Sequence, residues 1–173
     1  LFITDSTFSS NTATSDDGGA IAALRRSELD VSNSSFDSNA SVYGHGGAIR
    51  FAPAFNTHDL TVDASTFEDN GAGGDGGAVS VLKGDEIVFL DVEMIRNTAD
   101  GDGGGVSIDR ASQSTGERLL LHGNVAADSG GAWCERDTTS PGSLTNLLLV
   151  ENEANNGGAL FLDGVNDTYV VNN

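Results

Sequence analysis

Seven times along the chain a large apolar residue is followed three positions later by asparagine: Phe8/Asn11, Phe36/Asn39, Phe67/Asn70, Met94/Asn97, Leu121/Asn124, Leu149/Asn152 and Tyr169/Asn172. Each of the first six pairs leads to a small tetrapeptide built on glycine. These are Gly18-Gly19-Ala20-Ile21, Gly46-Gly47-Ala48-Ile49, Gly76-Gly77-Ala78-Val79, Gly103-Gly104-Gly105-Val106, Gly130-Gly131-Ala132-Trp133 and Gly157-Gly158-Ala159-Leu160. A two-part motif recurring through the whole chain describes one structural unit stacked on copies of itself, which settles the class of fold before composition is weighed.

Spacing identifies the unit. Successive first glycines lie 28, 30, 27, 27 and 27 residues apart, so insertions are confined to particular turns. The 3.6-residue periodicity of amphipathic helices is missing. Apolar residues alternate instead, as in Ile49-Arg50-Phe51, Val79-Ser80-Val81, Val106-Ser107-Ile108 and Leu160-Phe161-Leu162,. At about 3.3 Å per residue such a unit closes a loop roughly 90 Å around, enough for three short strands and three turns. The expected fold is therefore all-β, a single-stranded parallel β-helix of about six complete coils of 27–31 residues. The strong bias of parallel crossovers makes it right-handed. Seven stacked asparagines would span a rod about 29 Å high.

Each repeated residue then acquires a task. Equivalent positions stack about 4.8 Å apart, so the apolar members of the pairs, from Phe8 to Tyr169, form an interior column. Asn11, Asn39, Asn70, Asn97, Asn124, Asn152 and Asn172 form a ladder of side-chain amides, each donating to a carbonyl of the next rung. Asparagine also tolerates the left-handed backbone of a sharp corner, and is expected to adopt it there. Ala13, Ser41, Ala72, Ala99, Ala126 and Ala154 supply small side chains where the corner narrows. The glycine pairs supply positive φ or close backbone approach at the next corner.

A chain of 173 residues can bury a continuous core, and residues 1–173 are read as one elongated domain,. Because the chain opens directly on a strand and stops just after the seventh asparagine, it is expected to be part of a longer solenoid or a unit that associates end to end. The lone Cys134 excludes an internal disulfide, leaving stability to the stacked core,. No apolar run approaches the roughly 18 residues of a transmembrane helix.

The net charge of −18 sets 26 acidic residues against 8 basic ones. Nucleic acid is excluded as a partner, because phosphate binding rests on basic patches. Asp17, His45, Asp75, Asp102, Ser129 and Asn156 precede the glycine pairs and should share one column. Asp75 and Asp102 would then repel each other unless a cation or proton intervened. Ca²⁺ near Asp75, Asp100 and Asp102 is the one cofactor suggested, and none is required. Most cations fall in or beside the turns after the post-glycine strand, among them Arg110, Arg118 and Arg136. Those turns also hold the long insertions, Ala52 to Asp59, Ala111 to Glu117 and Asp137 to Ser143. That edge, with these three arginines, is the expected binding surface.

The pairing of Phe-x-x-Asn with Gly-Gly-Ala-Ile/Leu/Val resembles the repeat of the chlamydial polymorphic outer membrane proteins and of other secreted β-helix proteins. The resemblance implies a right-handed parallel β-helix displayed at a cell surface or secreted, often by an autotransporter and often linked to adhesion. It assigns no catalytic residues. The function expected is that of a non-enzymatic adhesin, rigid spacer or stacking unit, with a glycan, matrix or cell-surface ligand as partner. The alternative is a polysaccharide-degrading lyase or glycoside hydrolase on the same scaffold. For that reading Asp109 and Asp163, two rungs apart and about 9.6 Å from each other by strand spacing, are the carboxyl pair. Arg136 stands between them, and an Asp–Arg–Asp ion-pair ladder accounts for all three without catalysis. Glu135 occupies an inward slot, so either the strand ends early or a carboxylate is partly buried beside Arg136.

Overall fold

A computed structural model of the chain describes residues 1–166 and the backbone of strand Tyr169–Val171. The described residues hold no helix, and the strands form three parallel sheets wound into a solenoid of about six turns. The third coil shows the plan. Strands Leu60–Asp63 and Thr66–Glu68 lie in the largest sheet, Gly71–Ala72 in a narrow second sheet and Val79–Leu82 in a third. Four left-handed residues turn these corners: Ala64, Asp69, Gly76 and Lys83.

Pairing is parallel and in register, with each motif residue over its counterpart. Phe67 pairs with Phe36 on one side and Met94 on the other, and Val79 with Ile49 and Val106. The inward slots therefore become continuous columns. Phe8, Phe36 and Phe67 stack with centroids 4.8 and 4.7 Å apart and planes within 3°. Phe36, Phe67, Met94 and Leu121 are at most 1% exposed.

The asparagine column is a two-way brace. Asn70 Nδ2 donates to Asn97 Oδ1 at 2.9 Å and to the carbonyl of Phe36 at 3.0 Å. Its own Oδ1 accepts both the backbone N–H and the Nδ2 of Asn39. The same side-chain contacts run from Asn11 to Asn152. The left-handed corner falls one residue earlier than expected, on Ser10, Ser38, Asp69, Arg96, Gly123 and Glu151. Asparagine is needed here for its amide, which a short, bifunctional side chain can aim along the stacking axis. The two glycines divide their task. Gly76 has φ +70, whereas a Cβ on Gly77 would sit 2.1 Å from the Gly104 carbonyl oxygen of the next coil.

Two expectations need correction, and one alternative is decided. Asn172 lies outside the described residues, and its partner Tyr169 pairs with Ser143, not Leu149. Only 12 residues separate Gly157 from Tyr169, against 18 to 21 between the first glycine and the next apolar residue in earlier coils. Tyr169 therefore falls short of the column, opposite the start of strand Ser143–Val150 and not opposite Leu149. Next, Ala111 to Glu117 is no insertion: Gln113–Glu117 belong to strand Gln113–His122 and pair with Glu86–Leu90. Polar letters concealed this strand because two inward positions hold Ser114 and Gly116, both buried. Of the two readings of Glu135, the buried carboxylate holds, on a strand that continues from Trp133 to Arg136. Glu135 is 0% exposed, accepting from Ser114 Oγ at 2.7 Å and Trp133 Nε1 at 3.2 Å.

Ser114, Gly116 and Glu135 are linked through Trp133. Trp133 stands in a column of Ile49, Val79 and Val106, where its indole needs more room than its neighbours do. Gly116, in the column of Val62 and Phe89, leaves its slot without a side chain beside the indole: a Cβ there would crowd Leu119 and Leu144 at 2.8 Å and touch the indole at 3.7 Å. Phe89 meets Trp133 edge-on at 5.4 Å, a favourable aromatic geometry,. Dense interiors require such volume exchange between facing positions.

The brace predicts a position-dependent cost. Asn70→Ala leaves the Asn39 backbone N–H and one Asn39 Nδ2 hydrogen without an acceptor in the buried column, and chemical denaturation should show a loss of about 3–5 kcal/mol,. Asn11→Ala removes only a terminal donor and should cost about 0.5–1.5 kcal/mol.

Candidate functional site

The third sheet contains strands Ile21–Arg25, Ile49–Pro53, Val79–Leu82, Val106–Asp109, Trp133–Arg136 and Leu160–Asp163. Its outward column runs Ala22, Arg50, Ser80, Ser107, Cys134, Phe161 by register. Such positions on a solenoid normally meet solvent. Here Arg50 and Ser107 are 7% exposed, and Ser80 and Cys134 1%.

The cover comes from the residues before the glycines. Asp17, His45 and Asp75 each use a side-chain atom to accept the backbone N–H of the equivalent residue one coil on. The bonds are His45 N–H to Asp17 Oδ1 at 2.8 Å, Asp75 N–H to His45 Nδ1 at 2.9 Å and Asp102 N–H to Asp75 Oδ1 at 2.9 Å. This second ladder holds the side chains over the sheet, where they meet its cations. Asp17 Oδ2 lies 3.4 Å from Arg50 Nε, and Arg136 contacts Asp102 at 3.0 and 3.2 Å. Arg136 also covers the Phe161 ring at 5.0 Å.

Charge follows this geometry. His45 is held above the ordinary imidazole value, first by its hydrogen bond with the Asp75 carboxylate, with burial opposing. Asp75 Oδ2 is 3.2 Å from the same Nδ1 that faces the Asp75 amide. A neutral ring accepts from the amide, whereas a protonated ring donates to the carboxylate. The full charge of the carboxylate outweighs the amide dipole. Burial opposes ionisation of Asp75, but the His45 hydrogen bond and the Asp102 amide together hold it below the usual range. Burial, with Asp75 nearby, raises Asp102 despite Arg136. Burial also pushes the Cys134 thiol up to about 12, which keeps it protonated and unreactive,.

The anticipated site residues separate. Asp75 and Asp102 are neighbours in the cover, but Asp100 is exposed beside it. Among the described residues no three His, Cys, Asp or Glu side chains group closely enough to hold a metal ion. Arg110 and Arg136 border the end of the third sheet, where the Arg110 N–H donates to the Arg136 carbonyl. Arg118 does not join them. It turns a corner inside the largest sheet, paired with Asp91 and Glu117, because the apparent insertion before it is a regular strand. Asp109, Arg136 and Asp163 do stack in register, yet the Asp–Arg–Asp ladder does not form. Arg136 turns to the half-buried Asp102, and Asp109 pairs with Arg110 at 2.9 Å. Sequence reasoning passed over Arg50 and Ser107. Arg50 stands out in its column as the one basic residue, and that was the available signal.

His45 yields a pH prediction. Its raised value means that its contribution to stability is complete below the usual 6.5 and is lost as pH rises through the folded value,. The depressed Asp75 contributes above its usual 3.8 and loses that as pH falls through its folded value,. Both contributions coexist between those limits. NMR titration should place the His45 midpoint above 6.5, and Asp75→Asn should lower it.

The family model of the Chlamydia polymorphic membrane protein repeat matches residues 5–24 and 64–81. No curated protein and no solved structure gave a significant match. The first segment runs from just before Phe8 through the first glycine pair, and the second from just before Phe67 through the third. No helix among the described residues is long and apolar enough to cross a membrane. The match points to a surface-associated β-helix protein, and this parallel β-solenoid carries the polymorphic membrane protein-type repeat.

Proposed function

We propose that this chain is a non-enzymatic segment of a surface-exposed or secreted β-helix protein, a rigid spacer whose adhesive contacts lie along the edge where the third sheet ends. The observation that carries this reading is the loop after Pro53. Asn56 Nδ2 donates to the Arg110 carbonyl at 3.0 Å, and Asn56 Oδ1 accepts from the Gly84 amide at 3.3 Å. The loop thus folds along successive corners of the rod. Phe55, 62% exposed, and Arg110 stand on that edge. Exposed aromatics and arginines are the residue types that dominate many interfaces.

The repeated residues favour a scaffold role. Asparagine amides, glycine corners and cover carboxylates are engaged in contacts between coils. Of the two carboxylates considered for catalysis, Asp109 is paired with Arg110. A general acid or nucleophile needs a carboxyl free to exchange protons or attack.

Attachment of protein-coated beads to glycan arrays, matrix and cells tests the proposal. The double variant Phe55→Ser/Arg110→Glu should lower attachment at least about tenfold, as loss of a hot-spot pair does. Attachment unchanged by it refutes the edge. Release of reducing or unsaturated sugar ends that disappears in Asp109→Ala would replace this reading with the enzyme.

A further inference from the structure

We infer that a cavity of about 180 Å³ over the outer face of the third sheet, between Arg50, His45, Ser107 and Arg110, binds a hydroxylated carboxylate of the sugar-acid class. It gives the recognition proposed above a ligand class and rests on that reading for its biological role.

The argument starts from Arg50. Its side chain is 9% exposed and lines the cavity. Guanidinium carries five N–H donors. Among the described residues, only Ser80 Oγ accepts from it, taking Nη1 at 2.6 Å. Its Nε is wholly buried with no hydrogen-bond partner, Asp17 Oδ2 lying 3.4 Å away without forming one. Buried donors are expensive to leave unpaired, and a carboxylate matches the guanidinium fork. The scaffold does not require this arginine, since the same slot holds Ala22, Ser80, Ser107 and Cys134 in other coils.

The rest of the lining narrows the ligand. Asp75 and Asp109 also face the cavity. A compact anion such as phosphate would be repelled by both carboxylates while approaching Arg50. A neutral sugar would satisfy the carboxylates through its hydroxyls but leave the guanidinium unpaired. A molecule with one carboxylate and several hydroxyls uses both sets: its carboxylate meets Arg50 and Arg110, and its hydroxyls donate to Asp75 and Asp109. The volume is that of about six liquid waters, which suits one ring and not an extended chain.

Titration of the isotopically labelled full chain with D-glucuronate, glucose, acetate and inorganic phosphate, followed by NMR, tests the site. Glucuronate should shift Arg50, His45 and Ser107 signals saturably with Kd near about 1 mM, and the other three should bind at least about tenfold more weakly. Ser107→Leu, which fills the cavity from the sheet and leaves Arg50 in place, should weaken glucuronate at least about tenfold. Arg110→Gln, at an exposed position, should weaken it severalfold. Absence of saturable shifts, equal binding of acetate or phosphate, or full binding by both variants overturns the assignment. Glucuronate binding without attachment to any surface refutes adhesion alone, whereas attachment without glucuronate binding refutes this site alone.

Discussion

The structure depends on one constraint: each coil must hydrogen-bond its backbone to the next with equivalent residues in register. In a parallel sheet every interior strand has both edges occupied, so the axial spacing is fixed near 4.8 Å. Whatever side chain occupies a slot then has its counterpart as a neighbour. Residues that bind copies of themselves gain from this, and residues that repel copies need a remedy. Asparagine gains most, being donor and acceptor at once, as the chain of Nδ2 to Oδ1 contacts from Asn11 to Asn152 illustrates. Phenylalanine gains by stacking, as Phe8, Phe36 and Phe67 do.

The same constraint explains where the sequence varies. A column of aspartates before the glycine pairs would accumulate charge. The chain places His45 between Asp17 and Asp75, and Arg136 against Asp102. Inside the core, the indole of Trp133 lies beside Gly116, and Glu135 is held by Ser114 and the indole N–H. These are one local repacking spread over two coils, and reading any one residue alone would mislead. On the outer face, Arg50 has Asp17 beside it and Ser80 as an acceptor, but its buried Nε has no hydrogen-bond partner. Its unmatched donors mark that cavity as the place where the scaffold's own logic stops explaining the residues.

Much of this was legible in the chain because stacking converts spacing into position. Phe67, Asn70, Gly76 and Val79 recur at intervals that only a coil of fixed circumference produces. The misreadings arose where a column changed chemistry. Gln113–Glu117 looked like an insertion because Ser114 and Gly116 are not apolar, though both point inward. Arg118 was consequently placed on the wrong corner. Tyr169 looked like a seventh repeat because the local pattern matched, while its distance from Gly157 did not. The left-handed residue lay beside each asparagine because the amide, not the backbone, is what that slot selects.

The sequence alone determined the architecture: in-register repetition leaves one way to satisfy the backbone and the apolar columns together. It also determined the residues of the ladder through Asn152 and the glycine corners, since their chemistry follows from self-stacking. Only the tertiary structure decided which outward side chains are covered, which aspartate each arginine meets, and that Arg136 leaves its register partners for Asp102. Those outcomes depend on side-chain direction and on the fold of the cover across the sheet. Repeat spacing fixes the height of a residue along the rod, but not where its side chain turns around it.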